Sequence, residues 1–393
     1  MRFASISDRL AGLGAAKWEV HFEGQKRSRA GQPVIMLSIG EPDLPPPARV
    51  LDRVVQSMYA GRTRYASPQG EPGAREAVAR HLAERSGMAV SPEQVLYCAG
   101  TQNGLYTSLM TVVESGDEVI VPDPYYATYE GLVAASGATF VPVQTSPEAG
   151  FHLTPEALEA AITPRTRVLL LNTPSNPTGA VLSEAEVDAI GAVCERHDLW
   201  ILSDEVYADL TFSGRFCSPF DRPQLRERTL AVSSISKSHL LPGFRAGWVA
   251  APETAMPRLL SVAEAILFGS QPFLEDALAE ALTGHHPEVE AFRASLRGRA
   301  EAVVGAFEGC PHTNVRMPEG GMFLMVDVRA TGLNGEQFAW RLLDEANVVV
   351  MPGESFGLGA AAGHVRVALT VEKEQLREAC VRIRRLIEKL AAG

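Results

Sequence analysis

The stretch RVLLLNTPSNPTG, residues 167–179, decides the fold class. It begins as a short apolar run without polar alternation, which is typical of a strand buried on both faces of a parallel sheet. The run ends in a stiff polar turn that contains two prolines and two asparagines. A buried parallel strand that opens into such a turn predicts an α/β domain with a ligand site at the carboxyl end of the strand.

The same pattern recurs on both sides of this stretch. Short apolar runs alternate with helical patterns, such as Leu105–Val113 and Ser183–His197, which favours parallel βαβ units with helices on both faces of one sheet. Ser183 and Glu186 form a capping-box signature at the start of the second helix. The predicted strands are Val95–Cys98, Glu118–Val121, Thr139–Val143, Arg167–Leu171, Leu199–Ser203, Leu230–Ser233 and Ala246–Ala250.

The second half of the chain has a different pattern. From Glu253 to Phe307 it is almost entirely helical, with an interruption around residues 284–287. The N-terminal segment to about Leu37 shows no strand of its own, and we expect it to pack on a separate α+β lobe. That lobe would contain strands Met322–Val328, Val348–Met351 and Val365–Leu369 and the closing helix Lys373–Leu390. We therefore expect a large α/β domain over residues 41–285 and a small domain built from residues 1–40 and 286–393.

Composition and charge argue against several functions. The 393 residues are 46% hydrophobic and 21% charged, as in globular proteins, and the net charge of −11 argues against a nucleic-acid groove. No apolar run reaches the roughly 18 residues of a membrane helix. Asp8 and Arg9 stand where a signal peptide would be apolar. Five scattered cysteines without a CxxC motif predict reduced thiols, hence a cytoplasmic protein without disulfides or zinc.

Chemically active side chains follow four of the predicted strands. The turn Ala99–Asn103 follows the first strand and leads into a helix, and its free N–H groups suit a phosphate. Taken singly, each of the other groups could be an ordinary turn or a solvated surface charge. Together, at one sheet edge, they predict an active site. They are Asn172 and Asn176 after the fourth strand, Asp204, Glu205 and Tyr207 after the fifth, and Ser234, Lys237 and Arg245 after the sixth.

In these motifs the sequence resembles the class I/II aminotransferases, which use pyridoxal 5′-phosphate and have the aspartate aminotransferase fold. The resemblance runs from about residue 12 to the C-terminus and implies a large domain with a mostly parallel seven-stranded sheet (fold type I). The matching motifs are LSIGEPD (37–43), RYASPQGEPGAREAVA (64–79), CAGTQNGLY (98–106), PDPYYATY (122–129), NTPSNPTG (172–179), SDEVY (203–207), SISKSHLLPGFRAGW (234–248), GGMFLMVD (320–327) and HVRVAL (364–369).

The resemblance implies a role for each matching residue toward the cofactor. Lys237 matches the lysine that carries the cofactor and then moves the substrate proton. Asp204 matches the carboxylate that keeps the pyridine nitrogen protonated, which makes the ring an electron sink. Asn176 and Tyr207 match the pair that bonds the 3′-oxygen, and Tyr126 matches the ring-stacking position, where many relatives carry Trp. The expected phosphate cradle consists of Gly100, Thr101, Ser234 and Arg245.

The resemblance also predicts how substrate binds. Arg366 is the expected partner of the substrate α-carboxylate, through the bidentate fork of a guanidinium. Gly40 and Asn176 are expected to assist it, with Tyr126 alongside. Tyr65 matches a tyrosine that reaches the cofactor phosphate of a partner subunit, so a homodimer with shared active sites is expected.

The substrate is predicted from absences as well as matches. The segments GAAKWEVH (14–21), FGSQPF (268–273) and GGMFLMVDVRATGL (320–333) look most like the arginine:pyruvate transaminase branch of the family. Relatives specific for dicarboxylates carry a second cation at the position of Thr101 or within 268–273, and this chain has neither. We therefore expect a non-acidic donor, with Glu19 beside Trp18 as a candidate partner for a cationic side chain. Aspartate/2-oxoglutarate transamination is the alternative.

Two other classes compete with this interpretation. Gly353–Gly357 fits the GxSxG motif of hydrolases, but a glycine-broken segment follows it instead of a helix. A non-catalytic ligand sensor on the same fold would be expected to lack the lysine or to carry an added DNA-binding module. Neither is found in this sequence, so the prediction is an enzyme that transfers amino groups between amino acids and 2-oxo acids.

Overall fold

The structure is a computed structural model that describes residues 2–13 and 15–392. The described residues form twelve strands and thirteen α-helices, joined by loops and short 3₁₀ turns. The strands are β1 Ile35–Met36, β2 Val95–Cys98, β3 Glu118–Asp123, β4 Thr139–Gln144, β5 Thr166–Asn172, β6 Trp200–Asp204, β7 Thr229–Ser234, β8 Gly247–Ala250, β9 Phe323–Asp327, β10 Val348–Val349, β11 Met351–Pro352 and β12 His364–Ala368.

The α-helices cover about two fifths of the chain and separate most of the strands. Over the described ranges, none of these helices is both long enough and apolar enough to cross a membrane. The helices are α1 Ser5–Leu10, α2 Glu19–Arg29, α3 Ala48–Tyr59, α4 Pro72–Ser86, α5 Thr101–Val112, α6 Tyr129–Ser136, α7 Pro155–Ala161, α8 Glu184–Arg196, α9 Met256–Ile266, α10 Pro272–Thr283, α11 Pro287–Phe307, α12 Gly335–Ala346 and α13 Lys373–Ala391.

A seven-stranded sheet in the order β2-β8-β7-β6-β5-β3-β4 forms the centre of the fold. Neighbouring strands from β7 through β6, β5 and β3 to β4 pair in parallel, whereas β8 runs antiparallel to both β7 and β2. All seven predicted strands are present within two residues of their predicted ends. The prediction of a mostly parallel seven-stranded sheet is confirmed.

The apolar run that follows Arg167 is buried on both faces because the sheet lies between helices. Val168 and Leu170 point to the face covered by α5, α6 and α9, and Leu169 and Leu171 point to the face covered by α7 and α8. Side chains alternate across a strand, so only a strand covered on both sides can be apolar at every position. At its N-terminus, α8 has the predicted capping box between Ser183 and Glu186.

The two ends of the chain contribute to a second hydrophobic core. Val20, Ile35 and Leu37 pack in one cluster with residues of α11, α12 and α13 and of the sheet β11-β12-β9. This clustering agrees with a small domain assembled from both ends, and the boundaries at residues 41 and 285 stay a prediction.

Three details of this region were predicted wrongly. The N-terminal segment does form a strand, β1, whose two residues pair in parallel with β10. The predicted strand Val348–Met351 is divided at Val350, because β10 pairs with β1 whereas β11 pairs with β12 in a different sheet. The helical stretch after Glu253 has a second break, at residues 267–271, besides the predicted one between α10 and α11. Each error concerns a segment too short to show a period.

Candidate active site

A cavity of about 230 Å³ contains most of the predicted site. It lies where strands β5, β6 and β7 end, as expected for an open parallel sheet. Ten of the twelve predicted site residues line it: Gly40, Thr101, Tyr126, Asn176, Asp204, Tyr207, Ser234, Lys237, Arg245 and Arg366. The structure therefore brings together residues that are up to 326 positions apart in the sequence, from Gly40 to Arg366.

The two other predicted residues lie outside the cavity wall. Gly100 is the residue before α5, and a Cβ built on it would lie 2.4 Å from Nη2 of Arg245. Its φ of +84° is also one that glycine adopts without strain. Tyr65 is 86% exposed, and its ring contacts the ring of Phe268 at 6.0 Å between centroids. An exposed tyrosine is consistent with a contact to a partner subunit.

One end of the cavity has the properties of a phosphate site. Helix α5 begins at Thr101, so its unpaired N–H groups and its positive dipole end point toward this region. The Thr101 hydroxyl bonds the Ser234 hydroxyl at 2.9 Å. Arg245 has a φ of +52°, a left-handed conformation that is costly for a residue other than glycine. In this backbone conformation the Arg245 guanidinium lies against Gly100.

The carboxylate of Asp204 lies deep in the cavity, at the end of β6. Tyr129 donates a hydrogen bond to Oδ2 of Asp204 at 2.7 Å, and the N–H of Val206 donates to Oδ1 at 3.2 Å. Burial raises the pKa of Asp204 to about 6, while the bond from Tyr129 lowers it. This carboxylate therefore stays mostly ionised at neutral pH, and it is suited to hold a protonated ring nitrogen.

Its neighbour Glu205 does not line the cavity. Side chains alternate at the end of a strand, so Glu205 points away from Asp204 and is buried behind it. There it pairs with Nη2 of Arg85 at 2.9 Å and accepts a hydrogen bond from Ser218. We interpret Glu205 as a structural residue that fixes the turn after β6.

Lys237 points its amine into the cavity from the turn after β7. The amine donates a hydrogen bond to the carbonyl of Gly40 at 2.7 Å. Burial, assisted by the nearby cations Arg245 and Arg366 and opposed by the carboxylate of Glu41, lowers the pKa of Lys237 to about 8. An amine with such a pKa has a substantial neutral fraction near pH 8, which both nucleophilic attack and proton transfer require.

Arg366 is 1% exposed and lies between two aromatic rings. Its guanidinium carbon is 4.1 Å from the ring centroid of Phe323 and 4.5 Å from that of Phe356. Nη1 donates to Oδ1 of Asn176 at 2.8 Å, and Nη2 donates to the carbonyl of Ser38. Burial lowers the pKa of Arg366 to about 10, so it is still a cation at neutral pH. A rigid buried guanidinium is well suited to a carboxylate ligand.

In the turn after β5, the side chain of Asn172 holds the backbone of Asn176 in place. The side chain of Asn172 accepts a hydrogen bond from the N–H of Asn176 at 2.7 Å and donates one to the carbonyl of Asp204 at 3.0 Å. Tyr207 and Tyr126 form aromatic walls, with their rings edge-on to Phe323 and Tyr129 at 5.9 and 5.7 Å. Burial raises the pKa of both tyrosines, so they remain protonated hydrogen-bond donors.

Sequence reasoning missed several residues of this site. Tyr129 stands within a motif that we quoted, but only the structure shows its bond to Asp204. The two phenylalanines around Arg366 come from β9 and from the turn after β11, the two neighbours of its strand β12, and no local pattern indicates this pairing. Trp18 lines the cavity, whereas Glu19, the candidate partner for a cationic donor, is exposed and is not part of the cavity wall.

The GxSxG motif is explained by packing. Ser355 lies in a 3₁₀ turn, Gly353–Phe356, that follows β11. It is 5% exposed, and its hydroxyl donates to the carbonyl of Lys17 at 2.9 Å. A nucleophile elbow would present this hydroxyl at the start of a helix. Ser355 is therefore a structural residue.

The donor set of the cavity fits pyridoxal 5′-phosphate. Gly100 leaves room beside the Arg245 guanidinium that a Cβ would fill, and this cradle suits a phosphate group. The buried carboxylate of Asp204 suits a ring cation. Between them lies an amine with a lowered pKa. Nε of Arg366 is buried and has no hydrogen-bond partner in the described ranges, 2–13 and 15–392. The fold and the cavity thus define a pyridoxal-phosphate enzyme that acts on carboxylate-bearing amines.

Comparison with known proteins gives the family. The model of the family described as aminotransferase class I and II matches residues 32–383, so the chain belongs to this family. It is a pyridoxal-phosphate-dependent transaminase. The chain is 43% identical over 383 residues to the arginine–pyruvate transaminase of Pseudomonas aeruginosa, with 98% of this chain and 97% of that protein covered. It is also 32% identical to the aspartate aminotransferase of Geobacillus stearothermophilus, with 98% and 100% covered.

Solved structures agree with the fold. The aspartate aminotransferase of Thermus thermophilus with maleate superimposes with a TM-score of 0.91 at 32% identity, and 98% of this chain and 100% of that chain are covered. The resemblance to the aspartate aminotransferase fold is confirmed. So is the resemblance to the arginine:pyruvate branch.

Proposed function

We propose that this transaminase moves an amino group from L-arginine, or another long non-acidic donor, to a 2-oxo acid such as pyruvate. Lys237 is the proposed attachment and proton-transfer residue, and Asp204 and Tyr207 support it as catalytic residues. Gly100, Thr101, Ser234 and Arg245 would hold the phosphate, with Tyr65 supplied by a partner subunit. Tyr126 and Asn176 would contact the ring, and Arg366, with Gly40, would bind the α-carboxylate.

The chemistry is divided between the cofactor and the protein. When bound, the cofactor supplies an electron sink that stabilises negative charge at the substrate Cα. Asp204 holds a proton on the ring nitrogen, because an ionised carboxylate in a buried site stabilises the adjacent cation. Once the substrate has displaced it, the amine of Lys237 would move the proton between the substrate Cα and the C4′ carbon of the cofactor. Arg366 fixes the α-carboxylate and so orients the Cα–H bond toward this amine.

The charges of the cavity wall carry the proposal of a non-acidic donor. Among the described residues that line the cavity, the cations are Lys237, Arg245 and Arg366. The first is the proposed catalytic amine, the second is placed at the phosphate cradle and the third at the α-carboxylate. Thr101 stands where one group of relatives has a lysine. A second substrate carboxylate would be buried without a partner, at a cost of several kcal/mol.

The similarity to a named relative supports the choice of arginine and pyruvate. The relative from Pseudomonas aeruginosa is called an arginine–pyruvate transaminase and aligns over nearly the whole of both chains. The aspartate aminotransferases align at 32% identity. Aspartate with 2-oxoglutarate is the competing assignment, and the charge argument above weighs against it.

A panel of amino donors tests the proposal. Arginine, alanine, leucine, lysine, aspartate and glutamate are each mixed with the holoenzyme, and the rate of the cofactor absorbance change gives kcat/KM for each half-reaction. Pyruvate and 2-oxoglutarate are compared in the reverse direction. We expect kcat/KM for arginine to exceed kcat/KM for aspartate by at least about tenfold, because an unpaired buried carboxylate costs more than the ~1.4 kcal/mol that a factor of ten represents. If aspartate or glutamate has the highest kcat/KM, the proposed donor class is wrong.

The variant Thr101→Lys is the matched control for the charge argument. It places a cation in the cavity wall at the start of α5; the phosphate cradle loses the Thr101 hydroxyl but keeps Gly100, Ser234 and Arg245, and a ratio between two donors cancels any common loss of cofactor binding. We expect the ratio of aspartate to alanine kcat/KM to rise, because the second carboxylate then has a partner. An unchanged ratio would mean that the absence of a cation at this position does not determine the donor.

We also propose that the enzyme is a homodimer with shared active sites, located in the cytoplasm. Tyr65 and Phe268 are exposed and in contact, and α3 exposes Leu51, Val55 and Met58. Exposed apolar residues of this kind mark interaction surfaces. Sedimentation of the holoenzyme should give a dimer, and Phe268→Asp should lower both the dimer fraction and the activity. A fully active monomer at assay concentration would contradict the shared site, and fractionation outside the cytoplasm would contradict the location.

A further inference from the structure

Trp18 is a cavity residue that none of the proposed steps uses. It closes the 3₁₀ turn Ala15–Trp18 and precedes α2. Its side chain lines the cavity and packs against the buried cluster Ala127, Met351 and Phe356. Phe356 also contacts the guanidinium of Arg366. A donor bound to Arg366 through its α-carboxylate therefore shares the cavity with Trp18, which packs on the cluster that contains Phe356.

Three contacts fix Lys17, the residue before Trp18, and its ion-pair partner. The amine of Lys17 pairs with Oε2 of Glu130 on α6 at 2.8 Å, and both side chains are less than a quarter exposed. The other carboxylate oxygen of Glu130 accepts a hydrogen bond from the hydroxyl of Tyr125. The carbonyl of Lys17 accepts the hydroxyl of Ser355. The indole is thus a fixed wall, because its preceding residue is held through both its side chain and its backbone.

The remaining wall of the cavity favours a particular kind of side chain. Besides the residues already assigned, it contains Trp18, Ile39, Leu105, Pro242, the hydroxyl of Ser236 and the amide of Gln102. Among the described residues of the wall, Asp204 is the sole carboxylate, and it is bonded to Tyr129. A compact, strongly hydrated ammonium would lose its water here without an anionic partner. A guanidinium is planar and more weakly hydrated, and it stacks on aromatic rings.

We propose that Trp18 determines donor specificity by stacking on the guanidinium of the donor side chain, and that the Lys17–Glu130 ion pair holds it in position. The proposal deepens the function proposed above and rests on it. It replaces the expected contact with Glu19 by a cation–π contact with the preceding residue. It also predicts that arginine is preferred over lysine although both carry a positive charge.

The test compares arginine with citrulline, which has nearly the same shape but a neutral ureido group. The variants are Trp18→Leu, which removes the ring, and Trp18→Phe, which keeps a smaller one. Trp340→Leu is the matched control, because Trp340 lies on α12 and is not among the cavity residues. For each protein we measure the ratio of arginine to citrulline kcat/KM. Calorimetry with 5-guanidinopentanoate and 5-ureidopentanoate gives the same comparison by binding alone, without turnover.

We expect the arginine-to-citrulline ratio to fall on the order of tenfold in Trp18→Leu and about threefold in Trp18→Phe, in both measurements, as loss of a partly desolvated cation–π contact implies. Trp340→Leu should keep the wild-type ratio. If arginine and citrulline weaken equally in Trp18→Leu, the ring provides packing only and the proposal is wrong. If the wild-type enzyme accepts alanine or leucine but not arginine, the proposed donor itself is wrong. This outcome distinguishes a failure of the proposed donor from a failure of the proposed role of Trp18.

The ion pair is tested on the same ratio. Lys17→Met should lower the arginine-to-citrulline ratio about two- to threefold, the size expected for a half-buried ion pair. The same change made in Trp18→Leu should have no further effect on the ratio, because the ring that it positions is gone. A decrease of equal size in both backgrounds would show that Lys17 acts independently of Trp18 and would overturn its role as an anchor.

Discussion

Replacing Arg366 by leucine tests the carboxylate site most severely. The guanidinium is buried between two phenylalanine rings and is fixed by bonds to Asn176 and to the Ser38 carbonyl. Two unit charges about 4 Å apart attract by about 4 kcal/mol at an effective dielectric constant near 20. Loss of one partner of such a buried pair costs roughly 2–5 kcal/mol, which is on the order of 30- to 5,000-fold in affinity.

Arg366→Lys separates the charge of the side chain from its geometry. Lysine keeps the positive charge but loses the planar fork that bonds both carboxylate oxygens. We therefore expect it to weaken binding about tenfold, well short of the effect of leucine. Circular dichroism of both variants checks that the fold is kept.

The assay is single-turnover kinetics with several donors. Saturation of the observed rate gives the dissociation constant and the rate of the chemical step separately. We expect the dissociation constant to rise by a similar factor for every amino acid and 2-oxo acid, because all share the α-carboxylate, whereas the chemical rate changes less. If the loss differs strongly between donors, or falls mainly on the chemical step, Arg366 does not bind the shared carboxylate.

Three further predictions concern the other buried charges. Asp204→Asn should leave substrate binding nearly unchanged and slow the chemical step on the order of 100-fold, since it removes a preorganised charge that acts on the reacting group; an equal loss in binding would contradict this role. Tyr129→Phe should move the acidic limb of the kcat profile to higher pH. The hydrogen bond from Tyr129 lowers the pKa of Asp204, so its removal raises that pKa; an unshifted limb would count against the contact. In the cofactor-free protein the pKa of Lys237 is lowered to about 8 from 10.5, so the folded chain binds fewer protons than the unfolded chain between these values. Denaturant unfolding should therefore show Lys237→Met more stable than wild type at pH 7, by up to about 3 kcal/mol, with the difference disappearing toward pH 10.5.

The sequence predicts the large domain well because its signals are strong and local. The run after Arg167 is apolar at successive positions, and such a run, ending in a stiff polar turn, is typical of a covered parallel strand. Chemical groups placed directly after strands also carry over to three dimensions, because parallel strands end at one edge of a sheet. The predicted residues that follow β5, β6 and β7 line one cavity for this reason, whereas Gly40 and Arg366 reach it from outside the seven-stranded sheet.

The remaining features depend on contacts that local patterns do not record. A two-residue strand such as β1 has no period, and it forms only because β10 lies beside it. The ring of Phe356 reaches Arg366 from the 3₁₀ turn after β11, because β11 pairs with β12, the strand that carries Arg366. Trp18 follows a short segment rich in glycine and alanine, which has no strong local preference, so its place in the cavity depends on the distant partners of Lys17, namely Glu130 and Ser355.

The attachment site of the cofactor is the central claim, and one measurement tests it directly. The holoenzyme is reduced with borohydride, digested, and the peptide that carries the cofactor is identified by mass spectrometry. We predict that the label lies on Lys237, and that Lys237→Ala has neither the label nor transaminase activity. A label on any other lysine, or a Lys237→Ala protein that still carries the reduced cofactor, would contradict the assignment.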